Sequence, residues 1–339
     1  EDIVIETDKR NYVGSMKIVK SAENKAFYEY IRFISAKQKQ AAPLKEQLSD
    51  STLAEEKKES LRASITKMDE EVKAEQQRVI KDNAGSLVSL VLRLSTDIDV
   101  PEIKDENGEL DKAAQRNYYV SHFWDGIDPA DDRLMRMAGY EKKLEYFFDK
   151  ILIQQKDTII LQAEKMIRRT TEGTEPFKFL VVWLTSHFQN SKIMCLDGVF
   201  VHMVLNYYRT GKSFWMPEDK NKEIVERAEA MAPNVCGAMA HNISLPDTTE
   251  NNWVKLSDIE AKYRILVFWD PDCGHCKKEL PKFAENYEEW KKLGADVYAV
   301  SSSNNDEWRA FIKEKGLPWT NVAVPEKVYK EQSYVNEVV

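Results

Sequence analysis

Cysteine is scarce in this chain, with four in 339 residues. So few exclude a disulfide scaffold, in which bridges stand in for a core. Long apolar runs are also missing. Residues 177–184 and 193–205 are the longest, and they are too short or too interrupted to span a bilayer, which takes about 20 residues. Positive charge is not in excess either: 49 Lys and Arg face 57 Asp and Glu, for a net charge of -8. No basic stretch is interleaved with aromatics, so a nucleic-acid partner is excluded. His122, His187, His202 and His241 are scattered singly and read as satisfied or exposed side chains. No second pair of ligands lies near the cysteines, so no metal site is expected. The opening EDIVIETDKRNYVG has no basic start, no apolar signal segment and no initiator Met. It reads as a trimmed product from which a signal peptide or lipid anchor has been removed.

What is present is a globular composition, 42% hydrophobic and 31% charged, long enough for two or three domains. Residues 1–20 hold two short alternating pieces, IVIET and GSMKIVK, a small β remnant. Residues 21–100 read as a helical hairpin region. Phe27, Tyr30, Ile31 and Ile34 share one helix face, and Pro43 marks a break. Leu61, Ile65, Met68, Val72 and Val79 form a heptad seam on the return helix. A third, buried helix is expected over 84–96, and a polar loop over 97–110. Residues 101–235 read as an all-α domain. Its helices are expected over 113–124, 131–138, 140–150, 156–169, 175–189, 193–209 and 221–231, with breaks at Gly139 and Gly173. The aromatics Tyr118, Tyr119, Phe123, Trp124, Tyr146, Phe147 and Phe148 recur at helical spacing and read as core.

The pattern changes after Pro233. A short strand at 243–245 and a hairpin-like lead-in, NNWVKLSDIE, precede a continuous apolar run over 263–269, expected to be a central strand covered on both faces. A helix over 277–293, a strand over 296–301, a helix over 306–315 ending at Gly316, a short strand over 319–324 and a helix over 327–338 follow. Strand and helix alternating at these lengths mean a parallel α/β sheet.

The chemistry lies in ILVFWDPDCGHCKKELPKF, residues 265–283. A CxxC alone is a weak signal. Here it follows a buried strand, opens a helix and is succeeded by Pro281. Cys273 then sits at the helix N-terminus, where free N–H groups and the helix dipole favour a thiolate, the attacking species. Cys276, one turn on, is the resolving thiol. His275 stands between them, placed to donate to the Cys273 thiolate or to support it when protonated. Asp270 and Asp272 oppose that thiolate. Glu279 has two open readings, an exposed helix charge and a proton acceptor for the thiols. Cys195 reads as a buried small hydrophobe and Cys236 as structural.

Residues 236–324 resemble the TlpA/ResA-like branch of the thioredoxin superfamily. The resemblance rests on ISLPD, VKLSDI, ILVFW and CGHC followed by KKELP. It implies Cys273 as attacking and Cys276 as resolving thiol, Pro281 as the kink of the active-site helix and Glu279 as a buried acid tuning the thiols. Trp269 and Gly274 are structural at the site, and Gly274-His275 is the dipeptide found in protein disulfide isomerases. Val267 stands where ordinary thioredoxins have a buried aspartate, and Asp272 where they have tryptophan. No proline follows Pro325, so the strand carrying the family's cis-proline is absent from this sequence, which is expected to be trimmed rather than to belong to a protein without that strand. The helical part resembles the regions that precede redoxin domains in envelope proteins of Gram-negative bacteria.

The expected fold is therefore α+β multidomain: a mostly α-helical N-terminal region, then a truncated thioredoxin-like α/β domain over 236–339. The expected activity is thiol–disulfide exchange with protein cysteines in the periplasm or on the envelope. It needs an upstream redox partner and no metal or organic cofactor. The alternative is a non-catalytic helical binding or scaffold protein with a structural redoxin domain. A third reading, a thiol peroxidase, is disfavoured because a CxxC stands where a lone peroxidatic cysteine is usual.

Overall fold

The computed structural model describes residues 3–12 and 14–325. The helix expected over 327–338 lies outside the described residues. The chain forms two units, Glu1–Val225 and Glu226–Val339.

The first unit begins with an antiparallel pair, β1 (Val4–Glu6) and β2 (Lys17–Lys20). Next come α1 (Ala22–Leu48), α2 (Glu55–Asp82) and α3 (Leu87–Ser95). The side chain of Ser21 caps α1 and that of Ser86 caps α3, each accepting an otherwise unpaired N–H. Tyr30, Val79, Ile80, Val88 and Leu92 form the core of this three-helix element, with Phe27 and Ile34 packed against it. Leu61 and Val79 of the seam are buried. Lys37 of α1 and Glu71 of α2 form an ion pair across the hairpin. Pro43 does not break α1. It is exposed, so water can reach the carbonyl that its missing N–H leaves unpaired, and the turn comes at 49–54 instead.

The helical block comprises α4 (Lys112–His122), α5 (Ala138–Tyr146), α6 (Lys156–Ile167), α7 (Glu175–Gln189), α8 (Asp197–Met203) and α9 (Glu218–Met231), the last of which crosses the unit boundary. Residues 132–136 form only a 3-10 turn. Gly139 is no break, because it lies inside α5. Widened π turns over Phe147–Ile151 and Val204–Tyr208 extend α5 and α8. Phe123, Trp124, Phe147 and Phe148 are buried, with Phe123 stacked on Phe147 at 4.8 Å, whereas Tyr146 is exposed. His122, His187 and His202 pair with Asp125, Asp149 and Glu164. Cys195 is not a buried hydrophobe. It is half-buried with φ 74, a left-handed conformation, so the helix expected from 193 starts only at Asp197, and its sulfur is in a disulfide. Cys236, in the second unit, is exposed and also disulfide-bonded.

In the second unit β3 (Ser244–Pro246) and β4 (Trp253–Lys255) form an antiparallel hairpin, followed by a 3-10 turn at Leu256–Asp258. Then β5 (Tyr263–Trp269), α10 (Gly274–Lys292), β6 (Ala295–Ser301), α11 (Asp306–Lys315) and β7 (Thr320–Ala323) build a parallel sheet in the order β5-β6-β7. Successive strand side chains point to opposite faces, and the two cores follow that alternation. Val297, Ala299 and Trp269 join Leu280 and Tyr287 of α10 and Trp308 and Phe311 of α11 on one face. Tyr298, Val300 and Val322 join Leu245 and Leu256 on the hairpin face. Asn305 caps α11 by accepting the Trp308 N–H at 2.8 Å, and Gly316 ends it at φ 59.

The expectation that 263–269 is a central, doubly covered strand is not met among the described residues. β5 lies at the sheet edge and is buried fully only at Trp269, while β6, flanked on both sides, is the buried centre.

Candidate redox site

The site grows from the C-terminal ends of two neighbouring parallel strands, the usual place for function in an open α/β sheet. β5 ends at Trp269, 3% exposed, whose carbonyl accepts the Ser302 N–H at 3.1 Å. A tight turn follows. Asp270 Oδ1 accepts the Asp272 N–H at 2.7 Å, and the Asp270 carbonyl accepts the Cys273 N–H at 3.1 Å. The Ser302 hydroxyl donates to the other carboxylate oxygen of Asp270, and Pro271 is buried beneath the turn.

This turn delivers Cys273 to the N-cap of α10 in an extended conformation, with its carbonyl accepting the Lys277 N–H at 3.1 Å. An N-cap side chain normally offers oxygen to the unpaired N–H groups of the first turn. Here sulfur takes that place. The main-chain N–H of Cys276, the Cys276 thiol and the main-chain N–H of His275 all donate to Cys273 and hold its thiol below the ordinary range, against slight burial and the charge of Asp270. Cys276 is half-buried against the core that contains Trp269 and Leu280. Burial pushes its thiol up. The hydrogen bond it gives to Cys273 and the charges of Cys273 and Asp270 act in the same direction, opposed by the Asp270 main-chain N–H. Both thiols are free. The arrangement thus yields one accessible thiol biased towards the anion and a neighbour biased towards the protonated form.

The other expected site residues divide. Trp269 is the buried floor, its ring 5.4 Å from that of Phe311 and its indole N–H without a partner among the described residues. Pro281 lies half-buried inside α10, which runs on past it. His275 contributes its main-chain N–H, and its imidazole belongs to an exposed residue. Gly274 is the first helical residue, and a Cβ there would meet nothing within 4 Å, so glycine is not sterically required. Glu279 is not a buried acid. Its side chain is 57% exposed and its carboxylate is held by Lys282 at 2.7 Å, because position 279 falls on the solvent face of α10 while Leu280 takes the core face. Sequence reasoning missed Ser302. The signal was the SSSNND run at the end of the second parallel strand, where a polar loop must lie beside the CxxC turn.

Among the described residues no group of three or more His, Cys, Asp or Glu is placed to hold a metal ion. No helix among them is long and apolar enough to cross a membrane.

Fold and site define the second unit as a redoxin domain of thioredoxin-like type, and residues 236–331 match the AhpC/TSA family. Residues 49–234 match the family described as Domain of unknown function (DUF5106), more than half of the chain, and the chain belongs to that family. It is similar to chloroplastic peroxiredoxin Q of Triticum aestivum, 31% identical over 99 residues, which are 28% of this chain and 46% of the relative. It is also similar to the thiol-disulfide oxidoreductase ResA of Bacillus subtilis strain 168, 38% identical over 65 residues, 19% of this chain and 36% of the relative. The chain thus spans less than half the length of these two curated relatives. Among solved structures, a thioredoxin-like protein from Bacteroides caccae matches 70% of this chain and 85% of its own at 19% identity, with a TM-score of 0.47.

Proposed function

We propose that this chain is a thiol–disulfide oxidoreductase that exchanges disulfides with cysteines of other proteins in the cell envelope. The observation that carries this reading is the asymmetry of the pair: Cys273, lowered by main-chain donors at a helix start, beside Cys276, raised by burial. The Cys273 thiolate attacks one sulfur of a substrate disulfide, forms a mixed disulfide and expels the other substrate sulfur, which takes up a proton. Cys276 then loses its proton and attacks the Cys273 sulfur, releasing the second substrate thiol. Two electrons have passed from the pair to the substrate, and a dithiol partner upstream must return them. Run in reverse, the same steps oxidise a dithiol. No metal or organic cofactor takes part. The similarity to ResA supports this reading, and the disulfide-bonded state of Cys195 and Cys236 supports an oxidising compartment.

A second reading, thiol peroxidase, is favoured by the similarity to peroxiredoxin Q. Reduction of insulin disulfides, followed by turbidity, separates the two when run beside hydrogen peroxide consumption. The proposal expects insulin reduction that is lost in Cys273→Ser. Equal insulin reduction by that variant and the wild type contradicts it, and peroxide consumption that needs Cys273 without insulin reduction supports the second reading.

A further inference from the structure

Asp270 has more contacts than a loop aspartate needs. Its carboxylate is fixed on one side by the Ser302 hydroxyl and on the other by the Asp272 N–H. Its carbonyl holds the Cys273 N–H, and its own N–H points to the Cys276 sulfur. The residue therefore joins the end of β5, the segment after β6 and both thiols, and it is half-buried. We propose that Asp270, clamped by Ser302, is a positioning residue of the redox pair that biases it towards the disulfide and so makes the reduced protein a stronger electron donor.

The physical reason is charge. Reducing the disulfide adds two electrons and up to two protons, and a fixed anion beside the sulfurs disfavours the thiolate that results. Asp270 raises both thiols, in agreement with that direction. Among the described residues the charges acting on the pair are Asp270 and the sulfurs themselves, while Asp272, expected to oppose the thiolate, is exposed and is not among them. The segment Ser301–Ser303 after β6 offers only hydroxyl and main-chain groups, and His275, Lys277 and Lys278 of α10 are exposed.

The inference rests on the thiol-exchange reading, but its test needs no turnover. The thiol–disulfide equilibrium of the 273–276 pair is measured against glutathione, together with the pH profile of Cys273 alkylation, for the full-length protein and for Asp270→Asn, Asp270→Glu and Ser302→Ala. Asn keeps one carbonyl oxygen for the Asp272 N–H, turns an NH2 towards the Ser302 hydroxyl, which can accept from it, and removes the charge. Asp270→Asn is expected to shift the equilibrium towards the dithiol by about threefold or more and to move the alkylation profile to lower pH. Asp270→Glu is expected to stay near wild type, and Ser302→Ala, which frees the carboxylate to turn to solvent, to shift in the same direction as Asn by less. An Asn variant that matches wild type, or Asn and Glu variants that shift alike, overturns the proposal. Should Asp270→Asn not fold, Ser302→Ala decides by itself, and an unchanged or opposite shift there overturns it. Failure of insulin reduction with these shifts intact would strike the proposed activity and leave the role of Asp270 standing.

Discussion

Trp269 is the floor of the site, and its loss should be felt in both stability and thiol chemistry. The ring is 3% exposed, packs on Phe311 at 5.4 Å and belongs to the same core as Leu280, Trp308 and Trp319. A buried tryptophan removes roughly 200 Å² from water, and at about 25 cal/mol per Å² that is about 5 kcal/mol as an upper bound. Truncation of a core tryptophan to alanine costs about 3–5 kcal/mol, a large part of the 5–15 kcal/mol that holds an ordinary domain. With a urea slope of about 1–1.5 kcal/mol per molar, the midpoint of this unit should fall by about 2–5 M in Trp269→Ala. Trp269→Phe behaves differently. It leaves a smaller void and removes an indole N–H that is buried without a partner among the described residues, a group whose burial itself costs about 1–3 kcal/mol. The Phe variant should therefore lie within about 1 kcal/mol of wild type. Pulsed alkylation of Cys276 against urea, read by peptide mass, reports this unit in the full-length chain, because Cys276 is sheltered by that core. Cys276 should also react at lower pH in the Ala variant, since burial is the largest cause of its raised pKa. An Ala variant within 1 kcal/mol of wild type, or a Phe variant as unstable as the Ala variant, would refute the reasoning.

Three further outcomes are expected. Tyr298→Phe removes the hydroxyl that donates to the Val254 carbonyl at 2.8 Å and ties the sheet to the hairpin, so it should cost about 1 kcal/mol in urea unfolding; no loss would deny that tie. Glu279→Gln should leave the alkylation rates of both cysteines unchanged, because the carboxylate is exposed and paired with Lys282; a clear change in either rate would restore a role for this acid. Alkylation of the reduced protein across pH should modify Cys273 first. An acid whose folded pKa is lowered keeps its anion to lower pH than a free thiol, and one that is raised gains it only at higher pH, so Cys276 must follow later. Simultaneous modification at an ordinary thiol pKa would contradict the asymmetry.

Much of the second unit was legible because its signals are local. The apolar run ending at Trp269, the CxxC and the helix end at Gly316 each determine their own geometry, and the strands and helices fall within a few residues of expectation. What failed depended on neighbours. The run 263–269 reads as doubly buried, yet burial of a strand is set by which strands flank it, and β6 takes that place among the described residues. Pro43 reads as a helix break, but an exposed proline in a long helix packed along its other side is tolerated. Resemblance alone gives Glu279 a buried role, while the helical phase set by Leu280 and Tyr287 turns it to solvent. Cys195 reads as a buried hydrophobe from its apolar neighbours, and the left-handed turn and bonded sulfur there leave no trace in hydropathy. Ser302 is brought to Asp270 by strand pairing across 32 residues; the SSSNND run marks a polar loop there, but local sequence does not say which of its side chains meets Asp270.

The central claim is that Cys273 attacks and Cys276 resolves. It is tested most directly by trapping with the full-length Cys276→Ser protein, reduced and then mixed with an oxidised protein substrate. Peptide mass analysis should find a stable mixed disulfide on Cys273 and no such adduct in Cys273→Ser. An adduct on Cys276 in the latter variant, forming as fast, or none on Cys273 in the former, would contradict the account.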